Sequence, residues 1–313
     1  MLVQLASMRD AFAEALLELG ARDKRIVVLG ADTSVSIKTS LFGDRYPDRF
    51  FNVGIAEANM VGIASGLALA GKIPFVSTYS AFVPGKCYDQ IRNVIAYPNL
   101  DVKIVSSHGG LTVGPDGASH QTVEDVAAMR AVPRMRVVVP ADALSTKVLV
   151  MQAAMVPGPF YFRLSRPNAP NVHTPGVELE LGTASILHEG SDVTIVACGL
   201  LVNEAVEAAD ILSKEGVSAE VLDSHTVKPL DAETITKSAR KTGAVVTAEE
   251  HNIIGGLGGA VSETVSESHP VPVSRVGVRD TFGESGEHQE LMVKYGLTSK
   301  EIARAAKSLV EAR

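Results

Sequence analysis

Glu57 is the residue whose surroundings make chemistry hardest to dismiss. It lies in Val53-Gly54-Ile55-Ala56-Glu57-Ala58-Asn59-Met60-Val61-Gly62-Ile63-Ala64, a stretch with no other charged side chain. A carboxyl in apolar surroundings prefers to share a proton with a partner. Gly62, Ala64, Ser65, Gly66, Ala68 and Ala70 continue the segment with small side chains that let another backbone approach. They predict a buried helix, one that could serve a subunit interface. Tyr79 and Phe82 follow in Thr78-Tyr79-Ser80-Ala81-Phe82, His108 in Ser107-His108-Gly109-Gly110, and Asp116 and His120 in Gly114-Pro115-Asp116-Gly117-Ala118-Ser119-His120-Gln121. Imidazoles titrate near neutrality and can move protons. Arg166 offers a planar fork suited to an oxyanion. Each has a simpler reading: a first-turn glutamate favoured by the helix dipole, a structural histidine, a stabilised turn, core aromatics and a surface cation.

What could bring these residues together is the pattern of elements. Residues 8–19 place Met8, Phe12, Ala15, Leu16 and Leu19 on one helical face, with Arg9, Asp10, Glu14 and Glu18 pointing elsewhere. Apolar, β-branched runs at 26–29, 74–78, 102–106, 137–139 and 160–164 alternate with helical patterns, which predicts a parallel sheet covered on both faces. In such sheets ligands bind beyond the carboxyl ends of the strands, where Tyr79, Phe82, His108 and Arg166 fall. Three prolines between 165 and 176 preclude a regular helix and read as a linker. Strands at 193–197, 219–222, 244–247 and 273–278 and a helix at 299–311 then form a second series. The expected organisation is two doubly wound α/β domains, residues 1–170 and 186–313, joined by a linker at 171–185. The first sheet is read as parallel, the second as smaller and mixed.

Composition narrows the function. The 313 residues are 46% hydrophobic and 5% aromatic with no Trp, an ordinary globular balance. Charge sums to 29 − 36 = −7, which disfavours a general affinity for nucleic acid or anionic membrane. It is uneven: residues 1–175 carry 17 Lys/Arg against 14 Asp/Glu, 17 − 14 = +3, so an anionic ligand belongs to the first half. Cys87 and Cys198 have no neighbours at metal-ligand spacing, so no metal ligands are assigned within this chain. Arg9, Asp10 and Glu14 interrupt any signal-peptide core, and a cytoplasmic protein is expected.

Taken in order, Asn52-Val53-Gly54-Ile55-Ala56-Glu57, Pro74-Phe75-Val76-Ser77-Thr78-Tyr79-Ser80-Ala81-Phe82, His108, the Gly114 to Gln121 turn, Val139-Pro140-Ala141-Asp142 and Leu164-Ser165-Arg166 resemble the pyrimidine-binding domain of transketolases. Asp223-Ser224-His225-Thr226-Val227-Lys228-Pro229-Leu230-Asp231, Glu249-Glu250-His251-Asn252 and Asp280-Thr281-Phe282-Gly283-Glu284-Ser285-Gly286 resemble their C-terminal domain, which deoxyxylulose-phosphate synthases and 2-oxo acid dehydrogenase β subunits share. The resemblance implies a thiamine diphosphate enzyme. Glu57 would hydrogen-bond the aminopyrimidine ring nitrogen, with Phe82 and Tyr79 flanking that ring. His108, Asp116 and His120 would line the substrate channel, His120 assisting proton transfer, and Arg166 would grip a sugar phosphate.

Gly-Asp-Gly, the family's mark of the domain that binds Mg2+ or Ca2+ and the diphosphate, does not occur. The resemblance therefore implies the C-terminal subunit of a split transketolase, moving a two-carbon ketol unit between sugar phosphates once joined to an N-terminal subunit, in an α2β2 assembly. A 2-oxo acid dehydrogenase β subunit, a deoxyxylulose-phosphate synthase-like protein or a non-catalytic partner remain alternatives. The sequence departs from the family at Ala56 and Ala58 beside the glutamate, at Gly85 and Gly109, and at Ser40, where a phosphate-binding arginine is expected and only Lys38 is near. Gly255-Gly256-Leu257-Gly258-Gly259 lacks the full dinucleotide fingerprint and reads as a turn into a helix.

Overall fold

A strand buried on both faces satisfies its backbone only by pairing with other strands, and the apolar runs do so in two sheets. The computed structural model describes residues 5–313. In chain order its strands are β1 (Leu5–Ala6), β2 (Ile26–Gly30), β3 (Phe50–Asn52), β4 (Ile73–Ser77), β5 (Lys103–Ser106), β6 (Arg136–Val138), β7 (Phe160–Arg163), β8 (Ala169–Pro170), β9 (Ser185–His188), β10 (Val193–Ala197), β11 (Ala219–Asp223), β12 (Thr226–Lys228), β13 (Val245–Asn252) and β14 (Val273–Val278). The first sheet has the order β12-β6-β7-β5-β4-β2-β3, parallel except for β12 against β6. The second has the order β14-β13-β10-β11-β9, parallel except for β9. Thus each is a doubly wound α/β layer with one antiparallel edge strand, the second sheet the smaller.

Alternation along the strands divides each sheet between two apolar layers. Val27, Leu29, Val76 and Ile104 pack with Met60, Val61 and Ala64 of the helix Glu57–Leu69. Their neighbours Ile26, Val28, Phe75 and Val105 pack with Phe12 and Leu16 of the helix Met8–Arg22. The first of these layers also takes in Val196, Leu222 and Val245 of the second sheet, so the two units share a core. The helices Leu201–Lys214 and Ser299–Glu311 close the far side of the second sheet.

β12 lies after the linker in sequence but completes the first sheet, where Lys228 donates to the carbonyls of Arg130 and Val132 at 2.8 and 2.6 Å. Short β1 pairs with β8 in register Leu5 to Pro170 and Ala6 to Ala169, so the start of the first helix is pinned beside the end of β7. β13 runs well beyond the apolar run at 244–247, through Glu249, Glu250 and His251. Among the described residues no helix is long and apolar enough to cross a membrane.

Candidate active site

The chain turns into the site after β3. Asn52 Oδ1 accepts from the amides of Asp32 and Gly54, Gly54 takes a φ of +73°, and the helix begins at Glu57. Only 5% of the Glu57 side chain is exposed. It is not charge-poor, as the flanking sequence suggests: Lys86 Nζ donates to Glu57 Oε1 at 3.1 Å. The lysine comes from the neighbouring helix Val83–Gln90, a long-range contact that the local stretch around Glu57 does not reveal. The same ammonium lies 4.2 Å from the centre of the Phe82 ring. The helix is also less covered than its small residues predict. Asn59, Gly62, Ile63, Gly66 and Leu69 form an exposed stripe, because within this chain the sheet takes only the opposite face.

Beyond Phe82 a group of rings gathers. Tyr79 stacks on His108 at 4.0 Å and lies 5.7 Å from Phe82, while His120 meets Phe82 edge-on at 5.3 Å. His108 adopts a φ of +61°, a left-handed conformation that His, like Asn and Asp, takes more readily than other side chains. Burial, with the positive fields of Arg9, Arg166 and His120, pushes its imidazole down to about 3. It is therefore neutral at physiological pH. Its Nδ1 meets Ser107 Oγ at 3.1 Å, and Ser119 Oγ meets His120 Nδ1 at 3.0 Å. Asp116 lies exposed at the end of the turn Leu111–Asp116, apart from these ring contacts.

Arg9 is the residue that periodicity misplaces. The helical pattern assigns it to the polar face, yet the β1–β8 pairing half-buries it, and its guanidinium donates to the carbonyl of Ser36 at 2.9 Å. Ser36 Oγ in turn accepts from Tyr79 OH at 3.0 Å and approaches His108 Nε2 at 3.5 Å. Arg9 Nε is buried without a protein partner among the described residues. Arg166 donates to the carbonyl of Val113. Both arginines line a cavity of about 890 Å³ between the two units, with Thr112, Asn168, Asn203 and His288. Arg9 is thus a cation at the cavity that the sequence pattern does not single out, because its contact with Ser36 spans 27 residues of chain. Glu57, Tyr79, Phe82, His108, Asp116 and His120 do not line this cavity; Arg9, through Ser36, is what joins it to the ring group.

The departures at Gly109 and the glycine run also have local reasons. A Cβ at Gly109 would lie 2.6 Å from Arg163 Nε. Burial opposes the charge of Arg163, but Asp125 at 3.0 Å and Glu250 hold it and raise its pKa. Glu249 accepts from the amides of Leu257 and Gly258 at 2.7 Å each, so an internal carboxylate already fills the mouth of the helix Leu257–Ser268. A nucleotide phosphate has no place there.

The family described as the transketolase pyrimidine-binding domain matches residues 4–172, and the transketolase C-terminal domain matches residues 182–302. The chain belongs to the transketolase family. It is 46% identical to a 6-deoxy-6-sulfo-D-fructose transketolase subunit of Clostridium sp. (strain MSTE9), over 97% of this chain and 94% of that one. It is 38% identical to an apulose-4-phosphate transketolase subunit of Phocaeicola vulgatus, over 98% of each. A solved structure described as a split gene transketolase, inactive beta4 tetramer, superposes with a TM-score of 0.91 at 49% identity, over 98% of this chain and 99% of that one. Among transketolase motifs in this chain, Asn52, Gln121 and Asp142 are scaffolding. Asn52 orders the turn before Glu57, Gln121 bonds the carbonyls of Leu111, Gly114 and Glu284, and Asp142 caps the helix Ala143–Met155.

Proposed function

We propose that this chain is the C-terminal subunit of a split, thiamine diphosphate-dependent transketolase that works with an N-terminal subunit on phosphorylated sugars. One observation carries the reading: a continuous line of contacts runs from Glu57 through Lys86 and Phe82 to His120, Tyr79 and His108, and through Ser36 to Arg9. A nearly buried carboxyl with an aromatic ring beside it fits an aminopyrimidine, and an arginine with an orphaned buried N–H fits an oxyanion. Thiamine diphosphate, when bound, supplies the nucleophilic carbon that carries the two-carbon unit. Glu57 would hydrogen-bond its ring nitrogen, and Phe82 and Tyr79 would shield that end of the site from water. His120 holds or delivers a proton at the reacting oxygen, and neutral His108 hydrogen-bonds a sugar hydroxyl, as Asp116 does from the turn. Arg166 and Arg9 bind the phosphate.

Among the described residues no group of three or more His, Cys, Asp or Glu side chains is placed to hold a metal, and none is assigned to Mg2+ or Ca2+. Those ligands, with those of the diphosphate, are read as the partner's. Two observations support a separate subunit. Relatives named as transketolase subunits are matched over nearly their whole length, and the solved relative is a β-chain tetramer described as inactive. The working assembly is read as α2β2, in the cytoplasm. The two relatives' names give different sugars, so the donor and acceptor are open to assay.

The test is reconstitution with an N-terminal subunit, thiamine diphosphate and Mg2+, assayed with xylulose 5-phosphate and ribose 5-phosphate. Ketol transfer by the pair and none by this chain alone is the expected result. Turnover by this chain alone would sink the split-subunit reading, and turnover of pyruvate with an electron acceptor instead would place it among the 2-oxo acid dehydrogenases.

A further inference from the structure

Lys86 touches both groups expected to receive the aminopyrimidine. Its Nζ is 3.1 Å from Glu57 Oε1 and 4.2 Å from the centre of the Phe82 ring, and half of its side chain is exposed. A carboxylate buried to this degree is costly unless paired, and an ammonium over an aromatic face is attracted to the ring's negative quadrupole. A flat heterocycle with N–H donors would satisfy the same carboxyl and the same ring. The two cannot both hold these contacts in full.

We propose that Lys86 is a positioning residue: in the cofactor-free chain its ammonium is the stand-in partner of Glu57 and Phe82, and cofactor loading displaces it toward solvent. This rests on the thiamine diphosphate reading above and goes beyond it by making cofactor capture a competition with a side chain of this subunit. The pair is locally isolated. The strands β2 and β4, packed on the helix Glu57–Leu69, carry no titratable side chain. From the helix Val83–Gln90, Lys86 and Cys87 face the carboxyl, and burial and Glu57 hold the Cys87 thiol neutral, pushed up to about 12. Arg92, on the following turn, is exposed and bonds Asn93 at 2.7 Å. No other cation in this group takes over if Lys86 is removed.

Lys86 has a long stem and a half-exposed head, so it can leave without unfolding its helix. When only a fraction of molecules has the competing side chain withdrawn, apparent affinity falls by that fraction. Lys86→Met keeps the stem and removes the charge.

The test has two arms. On this chain alone, reductive methylation of Lys86 is followed by mass spectrometry in the native protein and in Glu57→Gln. Release from the carboxylate is expected to raise the labelling rate at least about threefold, since a paired ammonium reacts slowly. In the complex with the N-terminal subunit, calorimetry measures thiamine diphosphate affinity with Mg2+ present. Lys86→Met is expected to bind about five- to tenfold more tightly than the native complex. Equal labelling in the two chains overturns the pairing. Equal or weaker binding by Lys86→Met overturns the displacement, weaker binding meaning that Lys86 helps hold the cofactor. No binding by either complex overturns the functional reading itself, and this proposal with it.

Discussion

Both sheets end their parallel strands in polar residues, but they use them differently. At the carboxyl ends of β4, β5 and β7 the side chains turn toward one another and toward open space: Tyr79, Phe82 and His108 meet as rings, and Arg166 lines the cavity. At the ends of β11 and β13 the carboxylates are held by neighbours inside the chain, although Asp223 Oδ1, Ser224 Oγ and His225 Nε2 stay buried without a partner among the described residues. Asp223 bonds His173 at 2.9 Å, Glu249 fills the Leu257 and Gly258 amides, and Glu250 accepts from the amide of Thr112 at 2.6 Å. The same topology that makes a binding crevice in the first unit makes a docking surface in the second. A charged residue at a strand end is therefore evidence of a site only when its partners do not already satisfy it.

The sharpest way to break this contrast is to remove one carboxylate from each region. Glu57→Ala in the reconstituted complex is expected to lower turnover by about 10²–10⁴-fold with assembly intact by size-exclusion chromatography. Glu249→Ala strands two buried amides and is expected to cost about 3 kcal/mol in urea unfolding of the chain alone, with turnover per assembled complex little changed. If Glu57→Ala retains turnover, the first region is not catalytic. If Glu249→Ala abolishes turnover without loss of stability, the second region is more than a scaffold.

Arg166→Ala and Arg9→Ala sharpen the first region from its other end. Each is expected to raise KM for a phosphorylated sugar by about tenfold while leaving kcat within a small factor, since a charge-assisted contact to phosphate is removed far from the reacting carbon. The comparison substrate is the same sugar without phosphate. An equal loss with both sugars would show that the arginines hold the fold of the cavity rather than the anion.

How much of this was legible in the sequence follows from the range of the contacts. β2, β4, β5, β7 and β10 lie within one residue of the apolar runs that predict them, because a strand buried on both faces must be apolar throughout. β12 was not legible, because an antiparallel edge strand of three residues carries no period of its own. Glu249 and Glu250 could be matched as motif residues but not read as strand, since nothing local announces that Leu257, Gly258 and Thr112 will satisfy them. At the site, Tyr79, Phe82, His108, His120 and Arg166 were picked from strand ends and resemblance. Arg9 and Lys86 were missed for one reason: each is a helix cation whose role depends on a contact far along the chain, with Ser36 and with Glu57. Helical periodicity gives the face a residue lies on and nothing about what crosses it.

Two histidines carry the contrast into pH dependence, with opposite signs. His108 in the first region is held neutral, its pKa pushed down to about 3 by burial and by Arg9, Arg166 and His120. Between that value and the ordinary histidine value near 6.5, the unfolded chain binds a proton that the folded chain refuses, so its contribution is present above about pH 6.5 and is lost as pH falls. His173 opposes it: burial disfavours its charge, but the bond to Asp223 and the nearby Asp142 carboxylate win and raise its pKa. The folded chain then holds a proton the unfolded chain releases, so the stabilisation is complete below about pH 6.5 and fades as pH rises through the raised value. Each can contribute a slope of at most about 1.4 kcal/mol per pH unit in its own window. Urea unfolding from pH 4.5 to 8.5 should therefore show His108→Asn flattening the acid limb and His173→Asn losing most stability at the acid end and least at the alkaline end. If both variants shift the profile in the same direction, the two strand-end regions do not differ in the way their partners indicate.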